Sequence, residues 1–126
     1  MNLWWKMLII ILIIPVISTV IGIIFYKLHP KKINKWIGYR TKKSMTDQTS
    51  WDFANKYSAK MLLYRFPVFL FFSILMMIPF YNMPKENIIV ISFLLFITQI
   101  ILLISVYTET EEALKKLKNE VEEWNI

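Results

Sequence analysis

The sequence predicts an all-α integral membrane protein with three transmembrane helices. Hydrophobic residues make up 56% of the 126 residues, too many for polar groups to cover the surface of a small water-soluble domain. Three segments, 7–26, 66–84 and 87–108, contain no charged residue, and about 20 apolar residues form a helix that crosses about 30 Å of hydrocarbon. Basic residues concentrate between the first two segments.

We therefore predict a single membrane domain over 1–126, with an amphipathic cytoplasmic segment between helices 1 and 2 and a C-terminal cytoplasmic helix. The predicted parts are spans at about 7–26, 62–82 and 88–107, a cytoplasmic loop at 27–60, and a tail helix at 108–126. The first apolar run is longer than the core of a secretory leader, which is about 7 to 15 residues. It is expected to be an uncleaved anchor; the alternative is a mature chain that starts near Thr19.

Charge and aromatic residues predict the orientation. Of the 15 Lys and Arg residues, all except Lys6 and Lys85 lie in the loop, at its junction with the second span, or in the tail. Positive charge favours the cytoplasmic side of a bacterial membrane. The expected location is therefore the bacterial cell membrane, with the N-terminus outside and the C-terminus cytoplasmic. Trp4, Trp5 and Tyr81 suit the outer interface.

The loop is expected to lead into the second span through a helix. His29 and Pro30 end the first helix, and Thr49 or Ser50 can cap a new one. Its helical spacing runs through Trp51, Ala54, Tyr57 or Ser58, and Met61. Pro67 and Pro79 predict a kink or local loosening in the second span, because proline lacks an amide donor.

The C-terminal part lacks glycine and proline from Ile88 onward, so the third span can continue unbroken into the tail. Its apolar residues recur every three or four positions at Leu114, Leu117, Val121 and Trp124. Such a short stripe is typical of a helix lying on its own protein or on the membrane. A dimerising coiled coil is the alternative.

Few residues could support catalysis. The chain has no cysteine and one histidine, His29, for which the sequence offers no partner at fixed geometry. The tail carboxylates are expected to form a solvated face, with Glu111 and Glu112 paired to Lys115 and Lys116; they are Glu109, Glu111, Glu112, Glu120, Glu122 and Glu123. Gln99, within the third span, suits an interhelical hydrogen bond. We expect no enzyme activity, metal, cofactor or nucleic-acid partner.

The loop itself carries the most specific chemistry. Lysines there suit anionic lipid headgroups, and the predicted headgroup contacts are Lys31, Lys32, Lys42, Lys43, Lys60 and Arg65. Lipid attraction alone requires no glycine. Gly38 permits a turn or a close approach, Arg40 offers a planar fork of donors to an anion, and Thr41 with Ser44 can cap the backbone or bind the same anion.

These residues form a spaced pattern of Asn34, Gly38, Arg40, Thr41, Ser44, Met45, Trp51, Ala54, Asn55 and Lys60. The pattern resembles the signature of the SdpI-like family, membrane immunity proteins named for the sporulation-delaying toxin system of Gram-positive bacteria. The resemblance covers about thirty residues. It implies a polytopic protein that protects against a secreted antimicrobial peptide. It also implies that the candidate ligand- or anion-binding residues are Asn34, Gly38, Arg40, Thr41, Ser44, Trp51 and Asn55.

Two functions follow from the resemblance and the topology. The first is an immunity or resistance protein that binds a toxic peptide or shields its target. The alternative is a membrane scaffold or accessory subunit that docks a protein partner through the basic loop and the tail helix. The expected partners are anionic lipids, a toxin peptide, and a second copy of the chain or another membrane protein.

Overall fold

The computed structural model describes residues 1–126 and contains three α-helices and no strands. Helix α1 comprises Leu3–Leu28, α2 comprises Gln48–Met77, and α3 comprises Lys85–Trp124. A 3-10 turn, Ile78–Phe80, extends α2. Each helix is long and apolar enough to cross a membrane, which confirms the predicted all-α class with three membrane-length helices.

The three helices pack around a narrow apolar core. Its buried residues come from all three helices and are Trp4, Leu8, Ile11, Phe69, Met77, Ile88, Ile91 and Leu95. Many other large apolar side chains point outward, for example Ile17, Phe71 and Ile101. This distribution suits a hydrocarbon solvent, in which outward apolar groups carry no penalty.

The α1 helix contains a proline whose effect is compensated from α3. Pro15 has no N–H, so the carbonyl oxygen of Ile11, four residues earlier, has no partner within its own helix. The Nε2 atom of Gln99 donates to that oxygen at 2.8 Å. The interhelical hydrogen bond predicted for Gln99 is therefore confirmed, and it joins the middles of α1 and α3.

The prolines of α2 behave differently from each other. The helix runs through Pro67 without interruption, so the expected loosening does not break it there. At Pro79 the α-helix has already given way to the 3-10 turn. The turn leads into the short connection before α3.

The N-cap of helix α2 lies two or three residues before the predicted cap. Asp47, rather than Thr49 or Ser50, is the N-cap residue, and its carboxylate accepts a hydrogen bond from the backbone N–H of Ser50 at 2.7 Å. The prediction of Thr49 or Ser50 was wrong because both residues already lie inside the first helical turn. The carboxylate satisfies a donor that has no helical partner.

Span three and the tail form one continuous helix, since α3 extends over 40 residues. The apolar stripe of the tail packs along only part of its length. Leu114 is fully buried, whereas Val121 and Trp124 are exposed. Beyond Leu114, the tail lines a surface groove against the start of α2, formed by Thr46, Asp47, Thr49, Ser50, Leu117, Lys118, Val121 and Glu122.

Candidate functional site

Residues 29–47, here called the connecting loop, join α1 to α2 at the end of the bundle opposite to Trp4. Trp51, in the second turn of α2, is fully buried. Its indole Nε1 donates to the carbonyl oxygen of Pro30 at 2.6 Å. The start of the loop is therefore held against the first turns of α2.

Gly38 marks the closest approach between the loop and α2. Its φ is 114°, a conformation that glycine adopts readily and other residues rarely do. A Cβ atom there would lie 2.7 Å from Asn55 Oδ1 and 3.1 Å from the Trp51 ring. This close approach lets the backbone N–H of Tyr39 donate to Asn55 Oδ1 at 2.8 Å. Glycine thus lets the backbone reach a buried amide.

Thr41 and Ser44 cap the backbone of the loop. The buried Ser44 Oγ accepts from the backbone N–H of Thr41 at 2.8 Å. It also lies 3.0 Å from the carbonyl oxygens of Tyr39 and Thr41, one of which accepts its proton. The backbone N–H of Ser44 in turn donates to Thr41 Oγ1 at 3.2 Å. This reciprocal arrangement is one of the two roles that the sequence left open for the pair.

Asn34 performs a similar role earlier in the loop. Its Oδ1 accepts from the backbone N–H groups of Trp36, at 2.9 Å, and Ile37, at 2.8 Å. Its Nδ2 donates to the carbonyl oxygen of Lys32. Asparagine commonly forms such local bonds in turns. The side chain of Asn34 therefore shapes the loop.

Glu111 of α3 holds the loop from the other side. One carboxylate oxygen accepts from Tyr39 Oη at 2.8 Å and from Thr41 Oγ1 at 2.6 Å. The other oxygen lies 3.9 Å from Lys43 Nζ. Burial raises the pKa of Tyr39, and the hydrogen bond to Glu111 and its negative charge add to the rise.

The prediction of a uniformly solvated acidic face was therefore wrong for Glu111. It was also wrong for Glu109, whose carboxylate pairs with Arg65 at 2.5 Å. Arg65, named from the sequence as a headgroup contact, also donates to Ser105 Oγ at 2.6 Å. The i, i+4 lysines suggested a local pairing for Glu111, and no sequence signal linked it to residues about 70 positions away.

His29 has a neighbour that the sequence did not reveal. Its Nε2 lies 3.4 Å from a carboxylate oxygen of Asp52, which also accepts from Gln48 Nε2 at 2.9 Å. The Gln48 amide also donates to the carbonyl oxygen of Lys31. These bonds fasten the first residues of the loop to α2. No group of three or more His, Cys, Asp or Glu is placed to hold a metal ion.

Arg40 differs from the other candidate residues. Its side chain is exposed and makes no hydrogen bond or ion pair within the chain. The other six use their polar atoms or their shape to build the loop: Asn34, Gly38, Thr41, Ser44, Trp51 and Asn55. Around Arg40, Lys42 and Trp36 are also exposed. The pattern therefore divides into a frame and one free guanidinium.

A match to a known protein family includes this region. The model of the SdpI/YfhL protein family matches residues 31–108, more than half of the chain. A protein of Bacillus subtilis (strain 168), named "Uncharacterized protein YfhL", is 48% identical over 42 residues, which are 33% of this chain and 38% of that protein. The match thus spans well under half of the relative. No solved structure matches. With three membrane-length helices around the matched loop, the chain belongs to the SdpI/YfhL family.

Proposed function

We propose that this chain is a non-enzymatic immunity protein of the bacterial membrane, which protects against a secreted antimicrobial peptide by binding it or shielding its target. Membership of the SdpI/YfhL family supports this proposal, together with the resemblance of the loop pattern to membrane immunity proteins. The observation that carries it is the division of the loop into a hydrogen-bonded frame and a free Arg40.

The geometry of the frame suits recognition. Arginine presents planar donors that match a carboxylate or phosphate, and less ordering is needed when its backbone is already fixed. Here the backbone beside Arg40 is fixed on both sides, by the Tyr39 N–H to Asn55 and by the Thr41 N–H to Ser44. The guanidinium is thus free to pair with an acidic group of a peptide or of its target.

The proposed orientation places this loop in the cytoplasm and the N-terminus outside. It rests on charge, because 13 of the 15 basic residues belong to the loop end of the bundle. Since the chain has no cysteine, single cysteines at Lys42 and Lys85 give a clean test with a membrane-impermeant maleimide on intact cells. We expect labelling at Lys85→Cys alone; labelling at Lys42→Cys alone contradicts the orientation.

Protection is tested by expressing the chain in a strain sensitive to the sporulation-delaying toxin peptide and measuring survival against peptide concentration. We expect the wild type to raise the lethal concentration and Arg40→Ala to lose most of that gain. Lys42→Ala is the matched control, because it removes an exposed positive charge two residues away. Equal membrane levels and melting temperatures of the three chains exclude a folding defect.

No protection by the wild type overturns the proposal. If Arg40→Ala and Lys42→Ala lose the same amount of protection, the effect comes from the total positive charge of the loop. That result contradicts a role specific to Arg40. Arg40→Lys separates charge from geometry: a planar fork predicts that lysine restores less than half of the protection.

A second candidate is a scaffold or accessory subunit, which the last turns of α3 favour. Val121 and Trp124 are exposed there. The test is capture of a partner from detergent-solubilised membranes by the full chain and by a chain that ends at Lys118. That end point retains Glu109 and Glu111, which hold the loop and Arg65. A discrete partner lost on this truncation supports docking, and recovery of the chain alone or as a homo-oligomer contradicts it.

A further inference from the structure

A cleft between α1 and α2 lies outside the site described above. It opens on the bundle surface, has a volume of about 190 Å³, and is lined by Tyr26, Phe53, Lys56, Tyr57 and Lys60. Three of its five lining residues are aromatic and the other two are lysines. The cleft therefore combines apolar walls with a cationic rim.

The two lysines are ordered by aromatic rings rather than by carboxylates. Lys56 Nζ lies 5.9 Å from the centre of the Tyr26 ring, and Lys60 Nζ lies 6.0 Å from that of Tyr64. Both distances are within the range of cation–π attraction. The salt bridges of the structure involve other basic residues. Two ammonium groups one helical turn apart thus remain without an anionic partner.

The apolar part of the cleft is also ordered. The rings of Phe53 and Tyr57 stack with their centres 5.5 Å apart, and both side chains are half-buried. Tyr26 closes the cleft from the end of α1. A ligand that fits must offer a negative group to the rim and apolar atoms to the rings. That description fits an anionic amphiphile.

The position of the cleft along the bundle indicates which amphiphile. The stretch 61–80 has roughly 20 residues and one charged side chain, so it spans about 30 Å, the thickness of bilayer hydrocarbon. The exception is Arg65, which Glu109 neutralises. Lys60 is the first residue beyond that stretch, and Lys56 lies one turn farther. Both ammonium groups therefore lie at the depth of lipid phosphates.

We infer that the α1–α2 cleft binds the phosphate of an anionic phospholipid in the leaflet at the loop end of the bundle. Lys56 and Lys60 donate to the phosphate oxygens, while the rings of Tyr26, Phe53 and Tyr57 contact the glycerol and the first methylene groups. The site is separate from Arg40 and does not depend on peptide immunity. The lipid is thus held at one defined position rather than attracted diffusely by many lysines.

The test is native mass spectrometry of the purified full chain in mild detergent, titrated with phosphatidylglycerol or phosphatidylcholine. We expect one phosphatidylglycerol per chain to be retained in preference to phosphatidylcholine. The double variant Lys56→Gln/Lys60→Gln should weaken retention about 30-fold, or about fivefold for each lysine near the lipid surface. The matched control is Lys115→Gln/Lys116→Gln, which removes the same charge from exposed positions of α3. It should change retention less than twofold.

A second variant tests the aromatic walls without altering the charge. Phe53→Leu/Tyr57→Leu should weaken retention of the lipid several-fold, whereas simple ion attraction predicts no change. Inorganic phosphate at millimolar concentration should not displace the lipid, because it makes no contact with the rings. Melting temperatures identify any variant that is misfolded, and Lys60→Gln alone then supplies the charge test.

Three results overturn the inference. One is equal loss in the two lysine pairs, which assigns the effect to overall charge. Another is equal retention of phosphatidylglycerol and phosphatidylcholine. The third is complete displacement by inorganic phosphate, which makes the cleft a site for free phosphate.

Discussion

The two ends of the bundle are closed in different ways. At the end that contains Trp4, the Trp4 ring packs edge-on against Tyr81 at 5.1 Å, and its Nε1 donates to the carbonyl oxygen of Met77 at 2.8 Å. At the loop end, side chains of α2 and α3 hydrogen-bond to the loop from both sides, through Asn55 and Glu111. We call these the aromatic end and the polar end.

This difference indicates where the chain needs a fixed geometry. Apart from the Trp4 hydrogen bond to Met77, the contacts of the aromatic end are apolar and non-directional, so the apolar part of that end can be repacked at modest cost. Hydrogen bonds require a defined position of both partners, and a buried partner left alone costs about 1–3 kcal/mol. Hydrogen bonds of the polar end therefore fix the loop backbone on both sides of Arg40, which suits a region that presents one guanidinium. Substitutions should consequently have larger and more specific effects at the polar end.

The largest effect is expected for Gly38→Ala. The new Cβ would lie 2.7 Å from Asn55 Oδ1, and φ is 114°, so we expect a loss of about 2–4 kcal/mol of unfolding free energy. Gly22→Ala is the comparison within a regular helix, where the new Cβ would meet side-chain atoms of Leu62 and Leu63 at 3.1 Å and the backbone oxygen of Ala59 at 3.2 Å. The gain in helix propensity offsets part of that crowding, and the net loss should be smaller, about 0–2 kcal/mol. Unfolding in detergent measures both; equal losses would remove the distinction between loop and bundle.

The next effect concerns the acidic partner of the loop. Glu111→Ala leaves the Thr41 hydroxyl without its acceptor and the Tyr39 hydroxyl with only the longer contact to the carbonyl oxygen of Tyr107, at 3.2 Å. It should cost about 2 kcal/mol. Glu112→Ala, at the exposed neighbouring position, should cost less than about 0.5 kcal/mol. A similar loss in both variants contradicts the role assigned to Glu111.

The same variant has a spectroscopic consequence. Because burial and Glu111 raise the pKa of Tyr39 above its usual 10.0, the folded chain keeps this proton when the unfolded chain has lost it. The contribution of Tyr39 to stability is thus complete below pH 10 and is lost as the pH rises further. In Glu111→Ala, the pKa of Tyr39 should fall toward the usual value, as followed by tyrosine absorbance with a Tyr39→Phe chain for assignment. An unchanged titration excludes the contact in solution.

A smaller effect is expected midway between the two ends. Gln99→Leu leaves the carbonyl oxygen of Ile11 without a donor, because Pro15 has none. It should cost no more than about 1 kcal/mol, because it also removes Gln99 Oε1, which is buried without a partner. The double variant Gln99→Leu/Pro15→Ala should recover most of that loss, because the alanine N–H can bond to Ile11 as in a regular helix. Additive effects of the two substitutions contradict the compensation.

The smallest effect is expected at the start of α2. The backbone N–H of Ser50 lowers the pKa of Asp47 below 3.8, so its contribution is present above that pH and is lost as the pH falls below it. Asp47→Ala should lower the unfolding free energy by about 0.5–1 kcal/mol at neutral pH. Asp47→Asn retains a hydrogen-bond acceptor, so its unfolding free energy should fall by less. Because asparagine does not titrate, this variant should lack the part of the stability change between pH 5 and pH 3 that Asp47 contributes. A wild-type stability that does not respond to this acid range contradicts the cap.

Several parts of the candidate site could be predicted from sequence, since each depends on local chemistry. Gly38 was identified as a position of close approach, and Thr41 with Ser44 as a backbone cap, because both roles involve neighbouring residues. The N-cap was misplaced by two or three residues, from Asp47 to Thr49 or Ser50. Several capping residues follow one another there, and the sequence offers no way to rank them.

The sequence by itself determined the three membrane-length helices, because hydropathy over about 20 residues is a property of composition alone. It also determined that the third helix could continue into the tail, since no residue interrupts it. Only the tertiary structure decided which charges are used inside the protein. Glu111, Glu109 and Arg65 find their partners 40 to 72 residues away. Those pairings depend on the relative position of packed helices, which local residue patterns do not specify. For the same reason, only the fold could show that Arg40 is left free.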